Sequence, residues 1–110
     1  MLDRFLHLAA GAVGGFVDGV RAARRSAPGP VDDAVFDEIV RRQPRVIDGL
    51  RRGNAAIAAN PDAEWRELFE LAAMTAIDSR DVAGDPLGAL AALRQACAIL
   101  DRAEQEMLAA

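Results

Sequence analysis

The chain has 110 residues, the length of one domain with a small hydrophobic core. Hydrophobic residues make up 52% of the sequence and aromatic residues only 5%. The single cysteine, Cys97, excludes an intramolecular disulfide and a multi-cysteine metal site, and it fits a reducing compartment. We therefore expect residues 1–110 to form a single cytoplasmic domain without metal or cofactor.

The formal net charge is −4, and the negative charge is concentrated in the C-terminal half. Residues 61–110 hold ten acidic residues against four arginines. An acidic half repels nucleic acid and suits a basic protein surface. Nucleic acid is therefore not an expected partner.

The N-terminal stretch, residues 2–25, has the pattern of an amphipathic helix. Its apolar residues recur at spacings of three and four, which places them on one face. The opposite side carries glycines, each of which costs about 0.5–1 kcal/mol relative to alanine in an exposed helix. They become useful where another helix packs closely, within the chain or on a second copy. The apolar face comprises Leu2, Leu6, Ala9, Val13, Phe16 and Val20, and the glycine stripe comprises Gly11, Gly15 and Gly19.

Helix 1 ends in a basic turn, which complements the negative end of the helix dipole. An apolar helix with a basic end can also rest on a membrane surface, and this stays an alternative. Residues 26–30 form a short Pro- and Gly-rich linker.

The second helix is predicted over residues 31–52. Pro44 predicts a kink near Gln43, and Gly53 predicts the C-terminal end. Its arginines could bind phosphates, but no aromatic residues alternate with them, so we expect an ordinary solvated face. They are Arg41, Arg42, Arg45, Arg51 and Arg52.

The third helix is predicted over residues 61–79. Asn60 has the residue type of an N-cap, and Pro61 suits the first helical position. Trp65 and Phe69 lie on its apolar face. Residues 71–77 are apolar nearly all round, which predicts burial on more than one side.

The fourth helix is predicted over residues 85–108, capped by Asp85 with Pro86 at its first position. Apolar residues three and four apart form a seam like that of a coiled coil. An alanine-rich row lies beside the seam, and we expect it to pack on the glycine stripe of helix 1. The seam comprises Leu90, Leu93, Cys97, Leu100 and Met107.

These patterns predict an all-α protein, a compact bundle of four principal helices. One histidine, no lysine, no tyrosine and no phosphate-binding glycine motif argue against an enzyme. We expect a non-catalytic interaction or assembly subunit, an adaptor that self-associates as a homo-oligomer through helix packing. The expected contact residues are Gly11, Gly15, Gly19, Leu90, Leu93 and Leu100.

The alternative is an acidic inhibitor or immunity-type protein, such as one encoded by a mobile element. It would bind a basic surface of a toxin or nuclease. The acidic surface would comprise Asp62, Glu64, Glu67, Glu70, Asp101, Glu104 and Glu106.

Overall fold

The computed structural model describes residues 5–15, 30–80 and 85–110. These ranges contain four α-helices and no strand, which confirms the prediction of an all-α four-helix bundle. A short 3-10 turn, Asp78–Arg80, follows the third helix. The helices are α1 (Phe5–Gly15), α2 (Pro30–Ala59), α3 (Arg66–Ile77) and α4 (Pro86–Ala109). The remainder of predicted helix 1, including Leu2, Phe16, Val20 and its basic turn, lies outside the described residues.

The four helices are arranged around a ring in the order α1, α2, α4, α3. Within the described residues, α1 packs on α2 and α3, and α4 packs on the same two helices. The expected packing of α1 on α4 is therefore wrong, because these two helices occupy opposite corners. Large side chains of α2 and α3, such as Phe36 and Phe69, are buried in the centre and offer more apolar area than glycine and alanine rows do.

Helices α2 and α4 run parallel to each other. Glu38 of α2 pairs with Arg94 of α4, and Arg45 pairs with Asp101, seven residues further along both helices. The end of α4 lies beside the turn that joins α2 to α3. Helix α3 therefore returns the chain in the opposite direction.

Helix α2 is longer than predicted, because it continues through Pro44 and Gly53 to Ala59. Proline has no backbone N–H, so Pro44 cannot donate a hydrogen bond to the carbonyl of Val40. Both residues are exposed, and water can therefore hydrogen-bond this carbonyl instead. Gly53 does not end the helix. It is buried where the ring of Phe69 approaches the α2 backbone.

Helix α3 begins at Arg66, five residues later than predicted. Asn60 does not cap it, because its N–H still closes the end of α2 on Ala56 O at 3.0 Å. Residues 60–65 form turns, and Trp65 occupies the N-cap position without a side-chain cap. The turns let Trp65 pack edge-to-face on Phe69, with ring centroids 5.7 Å apart.

The predicted start of the fourth helix is confirmed. The Asp85 carboxylate accepts a hydrogen bond from the Gly88 N–H at 2.9 Å, and Pro86 occupies the first turn. The apolar seam of α4 faces the core, where it packs with the buried faces of the other helices. The largest fully buried side chains are those of Leu6, Val13, Phe36, Ile39, Val46, Leu50, Ile57, Phe69, Leu93 and Leu100.

Candidate functional site

The outer side of the α1–α3 half carries exposed apolar residues. Helix α1 has no Asp, Glu, Lys or Arg over Phe5–Gly15. Its inner face is buried, whereas Leu8 is 67% exposed and Gly11 and Ala12 are exposed beside it. On the adjoining α3, Leu71 and Met74 are at least half exposed. We call these five residues the apolar surface.

At Gly11, the glycine stripe does not pack closely against any other part of the described residues. A Cβ added at Gly11 would meet no atom within 4 Å. Gly14, which the sequence pattern did not select, would place a Cβ 3.8 Å from Ile47 Cδ1, an ordinary contact. Gly15 is the last residue of α1, and Gly19 lies outside the described residues. Of the stripe, Gly11 is thus accessible to another chain.

The seam of α4 is covered within the chain. Leu90, Leu93 and Leu100 are buried in the core, and Leu100 lies close to the α2 backbone at Gly49. They stabilise the fold and are not accessible to a second chain, which corrects their expected role as contacts. Cys97 is also buried.

Sequence reasoning missed Leu8, Leu71 and Met74. Leu8 falls outside the three-and-four spacing of its helix, which was a usable signal. Leu71 and Met74 lie in the stretch predicted to be buried on more than one side, and that prediction is wrong within this chain. Only the inner side of α3 is buried in the core. The buried residues on that side are Phe69, Ala72, Ala73 and Ala76.

Ion pairs join α2 and α4, which also expose Val40, Leu87 and Leu108. The Glu38 carboxylate accepts hydrogen bonds from Arg94 at 2.6 and 2.7 Å and from Arg42 Nε at 2.7 Å. The hydrogen bonds from Arg94 and then Arg42 lower the pKa of Glu38 to about 2. We call this group the Glu38 cluster.

A second group of ion pairs lies further along both helices. Arg45 donates to Asp101 at 2.7 Å and to Glu104 at 3.3 Å, and Arg52 lies 3.0 Å from Glu104. We call this group the Glu104 cluster. Of the arginines considered as phosphate ligands, only Arg41 and Arg51 are outside these clusters. Among the described residues, these arginines therefore do not form a concentrated basic surface.

The predicted acidic surface is divided by the fold. Asp101 and Glu104 belong to the Glu104 cluster, Glu70 pairs with Arg66 at 2.7 Å, and Glu106 lies 3.5 Å from Arg102. Asp62, Glu64 and Glu67 are exposed, and none of them forms an ion pair within residues 5–15, 30–80 and 85–110.

A depression lies at the end of the bundle, where the 60–65 turn meets the last turn of α4. Its volume is about 470 Å³. Glu64 and Glu106 line it from these separate segments, and Trp65 forms part of its wall. The lining residues are Asn60, Ala63, Glu64, Trp65, Glu106, Ala109 and Ala110.

Neither a metal centre nor a membrane span emerges from the described ranges. They contain no group of three or more His, Cys, Asp or Glu side chains able to hold a metal ion. None of the helices described combines the length and the apolar character needed to cross a bilayer.

The described residues therefore present two candidate sites, one apolar and one acidic. Comparison with known proteins finds no matching family model, no matching curated protein and no matching solved structure.

Proposed function

We propose that this protein is a non-catalytic interaction or assembly subunit whose apolar surface packs on a second copy of the chain. The observation that carries the proposal is the difference in charge between α1 and the pair of helices α2 and α4. Charged side chains of α2 and α4 are engaged in ion pairs with each other, whereas α1 has no Asp, Glu, Lys or Arg and exposes Leu8.

The energetics favour a contact at this surface. Complete burial of a leucine side chain stabilises by about 1.5–3 kcal/mol relative to its exposed state. In a two-fold symmetric dimer each residue is buried twice, once on each copy. Leu8 is a projecting side chain beside the exposed Gly11 and Ala12, and in an antiparallel crossing it would lie over those small residues of the other copy.

The test is the solution mass across a concentration series, measured by light scattering after size exclusion. We expect the wild-type mass to rise with concentration towards that of a multimer. Leu8→Glu should hold the mass at the monomer value, because it places a charge in the apolar contact.

Leu87→Glu is the matched control, because Leu87 is also 67% exposed but lies at the start of α4. It should leave the concentration dependence unchanged. A wild-type monomer at every concentration would refute self-association, and equal effects of the two variants would refute the assignment to the apolar surface.

A second candidate is the acidic inhibitor, and the two carboxylates at the end of the bundle favour it. Glu64 and Glu106 remain on the surface with Asp62 and Glu67 nearby in sequence. Binding to a basic toxin or nuclease would weaken steeply with salt, since exposed charge pairs are screened. An apolar contact would be insensitive to salt, so one titration separates the two functions.

A further inference from the structure

We propose that α1 detaches from the bundle as a separate unit while the other helices stay folded, and that the buried amide of Gln43 sets how often it does so. This motion takes place within one copy of the chain. It is therefore independent of self-association through the apolar surface.

Gln43 lies on the buried face of α2, between Ile39 and Val46. Only 4% of this residue is exposed. The Nε2 atom of its side-chain amide is buried and has no hydrogen-bond partner in the part of the chain that the structure describes. A buried N–H group without an acceptor destabilises the packing that encloses it, because water hydrogen-bonds the same group once that packing opens.

Helix α1 packs on the side of α2 that carries this amide. Ile47 follows Gln43 by one helical turn and lies on the same side of α2. A Cβ added at Gly14 of α1 would lie 3.8 Å from Ile47 Cδ1. The buried face of α1 has apolar side chains, which offer the amide no acceptor. Its residues are Leu6, Ala9, Ala10 and Val13.

Asn54 provides a second and independent observation. It lies two turns after Ile47, on the same side of α2. Its Oδ1 atom is buried and also lacks a hydrogen-bond partner among the described residues. The side of α2 that meets α1 thus carries an unpaired donor and an unpaired acceptor. Detachment of α1 lets water reach both groups, which lowers the free energy of the open state relative to the closed one.

The contacts that hold α1 on the bundle are apolar. Helix α1 has no Asp, Glu, Lys or Arg, and the ion pairs between helices within residues 5–15, 30–80 and 85–110 join α2 to α4. It has 11 residues, less than half of the 24 in α4. A short helix held by few buried side chains is the element that opens at the lowest free energy.

Hydrogen exchange of the intact chain, followed by mass spectrometry of its peptides, tests the motion at protein concentrations too low for association. Exchange rates are compared with those of the same peptides unfolded. We expect the amides of α1 to exchange at least about tenfold faster than those of the buried stretch of α4, residues 92–100. Their exchange should also depend less on urea, because detachment of one helix exposes less surface than global unfolding does.

Variants then test the role of the amide. Gln43→Met replaces it with an apolar group on a side chain of similar length and should slow exchange in α1 by about fivefold or more. Gln95→Met makes the same chemical change at an exposed position of α4 and should leave exchange in α1 unchanged.

Equal protection and equal urea dependence of α1 and α4 would overturn the proposal, because the two helices would then open only together. Exchange in α1 that is unchanged or faster in Gln43→Met, or slowed equally by Gln95→Met, would overturn the role of Gln43.

Discussion

Replacing Gly53 with alanine should destabilise the protein although it improves the helix propensity of α2. A Cβ at this position would lie 2.7 Å from Phe69 Cε1, 2.8 Å from Phe69 Cγ and closer still to Cδ1. Phe69 is fully buried, so its ring has no open space to move into. The collision requires a shift of the ring or of α2.

The magnitude follows from two opposing terms. Alanine in place of glycine in a helix interior gains about 1 kcal/mol, and overpacking a core costs about 1–3 kcal/mol. Three ring atoms are involved, so we place Gly53→Ala near the upper end of the overpacking range. The expected net loss is about 1–2 kcal/mol in the free energy of unfolding, or about 4–8 °C in the melting temperature.

Gly11→Ala is the matched control, because it makes the same chemical change in a helix with nothing within 4 Å of the new Cβ. It should stabilise by up to about 1 kcal/mol. Thermal and urea unfolding of both variants, at protein concentrations too low for association, would measure the two effects. If Gly53→Ala were as stable as the wild type or more so, the close approach of Phe69 to α2 would be refuted.

Two further predictions concern a helix cap and an acid-sensitive ion pair. Asp85→Ala should cost about 1 kcal/mol in urea unfolding, whereas Asn60→Ala should cost less than about 0.5 kcal/mol; equal losses would contradict the assignment of the caps. The pKa of Glu38 is lowered to about 2 by Arg94 and Arg42, so its ion pairs stabilise fully above its ordinary pKa of 4.5 and are lost as the pH falls towards 2. The melting-temperature advantage of wild type over Glu38→Gln should therefore shrink between about pH 6 and pH 2.5, and a constant difference would exclude this role of the Glu38 cluster.

The fold class was readable from the sequence because apolar periodicity and caps are local signals. Asp85 followed by Pro86 marked the start of α4 correctly, since the cap is formed by residues three apart. The ends of α2 and the start of α3 were not readable. Gly53 has the residue type of a helix end, and only the distant Phe69 shows that it is a point of close approach.

The candidate sites were predictable in part. Charge counting identified the acidic residues, but their pairing depends on the parallel placement of α2 and α4, which brings Arg45 to Asp101 across 56 positions of sequence. The exposure of Leu8 depends on which side of α1 meets α2 and α3. The neighbours of Trp65 in the depression come from the end of α4. These ion pairs, exposures and contacts arise only when the helices assemble, so no local sequence pattern predicts them.

The ion pairs between α2 and α4 have a mechanical consequence for the proline in α2. Pro44 lies between the Glu38 cluster on one side and Arg45 and Arg52 of the Glu104 cluster on the other. Both attachments lead to α4, which has no proline beyond its first turn. The ion pairs to α4 therefore restrain α2 on both sides of Pro44, where the helix lacks one backbone hydrogen bond. Bending of α2 at Pro44 would require the ion pairs of one of the two clusters to break. The resistance of α2 to bending therefore depends on its contacts with α4.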